Sequence, residues 1–194
     1  MSGFSTARQK MVDGQVRPSD VTDIRIIDAM LAVPREAFVP ENKRALAYLD
    51  LDLEVGEGGS ARQTLIKPVV LAKMLQAAEI KETDNVLVVG CASGYAAAVI
   101  GQFAGQVHSA TGADGDPARA PFDVIVLNGA TEVVPQKLYG QLRDGGRLVG
   151  VFAMSQPQRA TIVTRSHGDF GNRALFDAAV PVLPGMERLP AFVF

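Results

Sequence analysis

The sequence predicts an α/β fold, a doubly wound, mostly parallel sheet with N-terminal helices. Three observations predict it. Short apolar runs, led by Asn85–Val89 (NVLVV), alternate with helical stretches from residue 85 onward, as in a sheet covered on both faces. That leading run opens directly into Gly90–Tyr95 (GCASGY) and then a small-residue helix. The first third of the chain carries helical periodicity rather than strand alternation. The 194 residues fit a single domain, 1–194, with residues 1–80 as a helical N-terminal part and 81–194 as the Rossmann-like core.

The elements follow in order. Thr22 is the expected N-cap of a helix through Ala32, because its hydroxyl can take a free backbone N–H. Ile24, Ile27, Met30 and Leu31 give that helix one apolar face. Pro34 stops it, and Pro40 allows a short helical turn over Glu41–Tyr48. Glu54–Arg62 is a glycine-rich loop, and Gln63–Lys67 is short and extended. Pro68 suits the first position of a helix, Pro68–Glu79, since its missing N–H is not needed there. After Asn85–Val89 come a helix over Ala96–Ala104, a strand at Val107–Thr111 and a strand at Asp123–Leu127. Pro135–Leu142 reads as helix, Asp144–Gly146 as turn and Arg147–Ala153 as strand. Thr161–Arg165, Ala174–Val180 and Ala191–Phe194 read as late, antiparallel strands.

Composition narrows the function. Apolar residues make up 47% and charged residues 21%, which are globular values. A net charge of −2, with no Lys or Arg run, gives no field to recruit nucleic acid or anionic membrane. No apolar run approaches a membrane span, and Met1–Val12 lacks the apolar stretch of a secretory signal, so cytoplasmic location is the expectation. The single cysteine, Cys91, excludes an internal disulfide, and His108 and His167 lie too far apart to suggest a metal site.

The chemistry is carried by the strand–loop–helix at Val86–Tyr95. Ligands of open parallel sheets bind beyond the carboxyl ends of the strands, where strand order reverses. Glycine permits positive φ and close backbone approach there, and the following helix offers free N–H groups. Gly90, Ser93 and Gly94 fit a nucleotide-binding turn; a tight turn without ligand is the plainer reading. The spacing G-x-x-x-G leans away from the G-x-G-x-x-G of NAD sites.

Val33–Pro40 (VPREAFVP), Gln63–Thr64 with Pro68, Val86–Tyr95 (VLVVGCASGY), Phe122–Ala130 (FDVIVLNGA) and Leu142–Val149 (LRDGGRLV) together resemble the protein-L-isoaspartate (D-aspartate) O-methyltransferase family over most of residues 17–153. VPREAFVP is the most specific of these. The resemblance implies an S-adenosylmethionine-dependent methyltransferase fold. The implied activity is methylation of the carboxylate of isoaspartyl residues in damaged proteins, with S-adenosylmethionine as cofactor. It implies that Gly90, Cys91, Ser93, Gly94 and Tyr95 line the cofactor by backbone contact. Asn128 would then sit near its adenine or sulfonium, and Gln63 and Thr64 would face the substrate. Partners would be isoaspartyl proteins or peptides, with no nucleic acid and no membrane.

The chain departs from the family at several places. Family members typically read VLEIGTGSGY, so the acid falls at Val88 and the second glycine at Ala92. Cys91 reads as a small loop residue rather than a reactive thiol. The family's substrate-binding hydroxyl falls at Ile66. Thr64 is the nearest remaining hydroxyl, either a substitute or a plain strand residue. Lys67 reads as a solvated lysine rather than a carboxylate partner. The ribose-binding acid falls at Thr111, with Asp114 and Asp116 just beyond. Only Gly112–Pro121 separates that strand from the next matching segment, too short for the usual strand–helix–strand connection. The span is either a deletion or the trace of a mobile or omitted stretch, and the matching flanks favour the second. A catalytically degenerate binding module on the same fold is the rival function.

Overall fold

The computed structural model describes residues 3–56, 63–91 and 93–189. Helix α1 spans Gly3–Met11 and runs into a wider π turn, Val12–Val16. Helix α2 spans Ile24–Ala32. Its cap is Asp23, not Thr22: Asp23 has extended backbone, and its carboxylate accepts the Arg25 N–H at 3.0 Å. Gln76 Oε1 takes the Thr22 and Asp23 N–H groups instead, at 2.7 and 3.0 Å. The helix ends before Pro34, as the proline requires of the residue preceding it. A 3₁₀ turn at Arg35–Phe38 and another at Glu41–Leu46 follow.

Two short strands, β1 (Leu53–Glu54) and β2 (Thr64–Leu65), pair antiparallel across the expected loop, of which residues 57–62 lie outside the described residues. Helix α3 spans Pro68–Ala78 and closes on Glu79 in the left-handed region (φ 48°). Strand β3 spans Asn85–Val89 as the sequence predicts. Helix α4, Tyr95–Ile100, is shorter than expected because Gly101 and the turns after it end the helical ladder. Strand β4 spans Gln106–Ala110.

Strand β5 runs Phe122–Thr131, past the expected end at Leu127, with an irregularity between Val126 and Ala130. Helix α5 is only Gln136–Tyr139. Strand β6, Leu142–Phe152, contains the expected Asp144–Gly146 turn as an irregularity between its pairings at Leu142 and Arg147. Strands β7 (Arg159–Ser166) and β8 (Asp169–Asp177) are antiparallel as expected, but β8 starts at Asp169 and ends at Asp177 rather than spanning Ala174–Val180, because the turn at His167 and Gly168 sends the chain straight back along β7. The strand expected at Ala191–Phe194 lies outside the described residues.

The main sheet has six strands in the order β4-β3-β5-β6-β7-β8. The first four are mutually parallel. Alternation along each strand sends side chains to opposite faces. Val86, Val88, Val124, Val126, Val149 and Val151 join the core shared with α2, α3 and α4. Leu87, Val89, Ile125, Leu127 and Leu148 join a second core with Leu138, Tyr139, Leu183 and Met186. The strands are therefore apolar on both sides, which explains why they read as continuous runs.

The second face is covered lightly. Strands β4 and β5 flank β3 in parallel, so Gly112–Pro121 must return across a face of β3. Ala113 and Ala120 pack on the second core, where a helix commonly lies. The span expected to be mobile or interrupted is an ordered crossover. Gln141, buried, holds it. Its Nε2 donates to the Asp114 carbonyl at 2.7 Å and the Lys137 carbonyl at 3.1 Å, and its Oε1 accepts the Asp116 N–H at 2.9 Å.

Removing that side chain orphans backbone groups of the crossover. Gln141→Ala is expected to lower stability by about 1–2 kcal/mol, read from urea unfolding, because three part-buried hydrogen bonds to the crossover and to α5 are lost together.

Candidate active site

The site is the place where β3 and β5 end side by side, under β2. Strand order reverses there: the chain goes from β3 to β4 on one side and returns to β5 on the other. Gly90 turns the chain at φ 77°, with its N–H on the Ala110 carbonyl at 2.8 Å. Gly94 is also left-handed, at φ 82°, and leads into α4. Ser93 Oγ accepts the Tyr95 N–H at 3.3 Å. Ala92, the expected missing glycine, lies outside the described residues.

Asn128 joins this loop to the neighbouring strand. The sequence places it just after β5; the structure places it inside β5, within the irregular stretch. It is buried, and its Nδ2 donates to the Gly90 carbonyl at 3.2 Å and the Thr64 carbonyl at 3.3 Å. Its Oδ1 has no hydrogen-bond partner. Gly90 and Thr64 are therefore brought together by one amide. Gln63 sits at the start of the same edge, its carbonyl accepting the Val55 N–H at 2.8 Å and its Cβ lying against Gly56.

Other predicted residues turn away from the site. Tyr95 is fully buried, with its ring edge-on to Phe38 at 5.6 Å, so only its backbone faces the loop. Cys91 is buried, and burial pushes its thiol up, which fits a small loop residue and not a nucleophile. Ile66 and Val88 are both core side chains at 0% exposure, so neither position presents polar chemistry. Lys67 is not a free lysine. Its Nζ donates to the Ala179 carbonyl at 3.2 Å and lies 4.0 Å from Asp52. Asp52 in turn accepts the Lys67 N–H at 2.9 Å, in front of α3, and burial pushes its carboxyl up against the pull of Lys67.

At the end of β4 the acid position is empty of acid. Thr111 is exposed. Asp114 pairs with Lys137 at 2.6 Å and Asp116 with Arg119 at 2.5 Å, so both nearby carboxylates already face cations of their own. Among the described residues no group of His, Cys, Asp and Glu could hold a metal. None of the described helices is long and apolar enough to cross a membrane. Among the described residues the arrangement contains no nucleophile–base pair; it offers backbone groups and a buried amide.

Three residues near the site escape the sequence reading: Arg35, Phe38 and Asp52. Arg35 and Phe38 lie within VPREAFVP, the segment whose pattern is most specific, and that was the available signal. The Arg35 guanidinium is sealed from water and sits 4.9 Å from the centre of the Tyr95 ring.

The profile of the protein-L-isoaspartate(D-aspartate) O-methyltransferase family matches residues 6–110 and 105–178. A protein-L-isoaspartate O-methyltransferase of Rhodopseudomonas palustris is 37% identical over 91% of this chain and 93% of its own length. One from a Roseiflexus species is 35% identical over 96% of this chain and 98% of its own. Among solved structures, a protein-L-isoaspartate O-methyltransferase superposes with a TM-score of 0.78 at 22% identity, over 92% of this chain and 66% of that one. A structure described as a putative protein-L-isoaspartate O-methyltransferase of Plasmodium falciparum, in complex with S-adenosyl-L-homocysteine, gives 0.70 at 15% identity, over 94% of this chain and 99% of that one. The Roseiflexus alignment runs over 219 positions against the 194 residues here, so that relative carries residues with no counterpart in this chain. The two profile matches meet at residues 105–110, next to the short crossover.

Two measurements check this geometry. Cys91 is expected to resist alkylation in the folded protein even at pH 8.5–9, where a free thiol reacts readily, and to react at once on unfolding. Asn128→Ala is expected to lower stability by about 1–3 kcal/mol by releasing the carbonyls of Gly90 and Thr64, read from chemical denaturation.

Proposed function

The chain belongs to the protein-L-isoaspartate(D-aspartate) O-methyltransferase family, and we infer that it is an S-adenosylmethionine-dependent enzyme that methylates the carboxylate of isoaspartyl residues in damaged proteins. The curated relatives it matches over nearly their full length are enzymes by name, which favours this reading over a degenerate binding module. Within the site, the carrying observation is the Asn128 bridge, which sets the Gln63–Thr64 edge against the Gly90–Gly94 loop.

The chemistry asks little of the side chains. When bound, S-adenosylmethionine supplies a methyl group on a sulfonium leaving group. The nucleophile is a carboxylate already ionised at neutral pH, so no base has to remove a proton. The protein has to hold the two in line and keep water out. The residues present fit that task on the methionine side. Gly90, Cys91, Ser93 and Gly94 offer backbone at a left-handed turn, with Tyr95 beneath them. Asn128 Oδ1 is a buried acceptor with no protein partner. Thr64 offers the hydroxyl for the substrate, beside Gln63. No acid stands at the ribose position, so cofactor affinity rests on the loop and Asn128.

The same reading takes residues 1–194 as one methyltransferase-like domain, supported by the core that joins Met11 and Ile26 to Val86 and Val126. It places the protein in the cytoplasm, in keeping with a lone buried cysteine.

Titration with S-adenosyl-L-homocysteine by calorimetry should show saturable binding, and an isoaspartyl peptide should accept the methyl group. Absence of both at millimolar ligand would overturn the reading. Thr64→Val is expected to lower kcat/KM for the peptide about tenfold, the worth of one hydrogen bond to a charged group, while the affinity for S-adenosyl-L-homocysteine stays within about twofold.

A further inference from the structure

Arg35 and Tyr95 are the two bulkiest fully buried side chains among the described residues, and they touch. Arg35 stands in the 3₁₀ turn after Pro34 and is 0% exposed. Its Nε donates to the Ala47 carbonyl at 2.7 Å and its Nη2 to the Ile66 carbonyl at 2.8 Å. Its Nη1 makes no hydrogen bond, and neither does the Tyr95 hydroxyl. The cation is thus held by neutral carbonyls and an aromatic face. Burial pulls the guanidinium below the usual arginine range, against the opposing pull of Tyr95.

Volume does not explain this residue. A sealed cation loses its hydration, and two carbonyls replace only part of it. An unbranched apolar side chain would fill the space without that loss. The guanidinium alone offers a rigid planar fork that grips carbonyls from separate segments while its charge sits over a ring. The groups gripped are informative. Ile66 is two residues past Thr64, on the substrate edge. Tyr95 is the residue after Gly94, where the cofactor loop enters α4.

We propose that Arg35 is a positioning residue: its guanidinium sets the substrate edge and the cofactor loop against each other, joining Ile66 to Tyr95. This rests on the methyltransferase reading for its consequence, although the tie itself is testable without it. Asn128 makes a second tie between the same two segments, from Thr64 to Gly90.

The test compares Arg35→Met, Arg35→Lys and Tyr95→Leu with the wild type. In the ligand-free proteins, amide hydrogen exchange at residues 63–67 and 93–97 should rise at least tenfold in both Arg35 variants, with residues 85–89 unchanged. Tyr95→Leu, which keeps the carbonyl grip, should loosen residues 93–97 alone and serves if the Arg35 variants do not fold. In enzyme assays, the KM for an isoaspartyl peptide and the Kd for S-adenosyl-L-homocysteine should both rise at least fivefold in Arg35→Met. Arg35→Lys should not rescue either, since an ammonium lacks the fork. Unchanged exchange at both segments, loosening of the whole core, or full rescue by lysine would each overturn the proposal. If the wild type binds no S-adenosyl-L-homocysteine, the methyltransferase reading fails while the exchange result still decides the role of Arg35.

Discussion

Strand β3 has a parallel neighbour on each side, and most of the architecture follows from reaching both. To pair β4, the chain must climb away from β3 through the loop and α4. To pair β5, it must come back across the opposite face. The point where those two paths diverge is the notch at the carboxyl ends of β3 and β5, the place where open parallel sheets take their ligands. The Gly90–Gly94 loop lines one wall of the notch, and Asn128 stands at the other. The N-terminal part adds a third wall through β2. The position of the site is therefore a property of strand order before it is a property of any side chain.

What sharpens the notch is a set of polar ties from buried groups to backbone carbonyls. Asn128 reaches Gly90 and Thr64; Arg35 reaches Ala47 and Ile66. A third tie steadies the far end of α3: Arg147 on β6 donates to the carbonyls of Ala78 and Glu79 and pairs with Asp84 at 2.8 Å. Helix ends leave carbonyls without partners, and a cation at that end also suits the helix dipole. The ties of Asn128 and Arg147 join the N-terminal part to the sheet, while Arg35 bonds within the N-terminal part and meets α4 through the Tyr95 ring. Apolar contact supplies the bulk of the attraction between them, but it tolerates sliding. Directional bonds between specific carbonyls and specific donors do not.

Periodicity and composition made the sheet legible. Asn85–Val89 stands where its β-branched run predicts, and the helix starting at Pro68 ends within a residue of its expected end. Local competition was not legible. Thr22 and Asp23 are both good caps, and the helix starts after Asp23, whose carboxylate takes the Arg25 N–H while Gln76, distant in sequence, holds the N–H groups of both candidates. The length of β5 was hidden because Asn128 and Gly129 read as turn residues, whereas an irregularity in pairing lets the strand continue through them. The crossover's composition, rich in Gly, Asp and Pro, suits a deletion or a mobile or omitted stretch alike, and carries no sign of Gln141, which orders it from outside. At the site, the loop was readable from spacing. Arg35 was not, since an arginine in a sequence reads as exposed until its partners are known.

The glycines of the loop show why a motif alone underdetermines a ligand. Gly94 has open surroundings: a Cβ there would meet only Phe38, at 3.8 Å, so its glycine answers to its positive φ. Gly90 has positive φ as well, but a Cβ would lie 2.3 Å from Leu183, and one at Gly129 would lie 2.6 Å from the same side chain. Leu183 thus packs over the ends of both β3 and β5. Two of the small residues that mark the notch are small because the fold itself fills the space above them. Gly90 is thus fixed by packing as well as by its φ, whereas Gly94 is fixed by its φ alone. The neighbour of Gly94 is the Phe38 ring, from the N-terminal segment VPREAFVP. The glycine spacing therefore reports on packing and backbone conformation as well as on any ligand, and the family assignment rests on the match along the whole chain rather than on this loop alone.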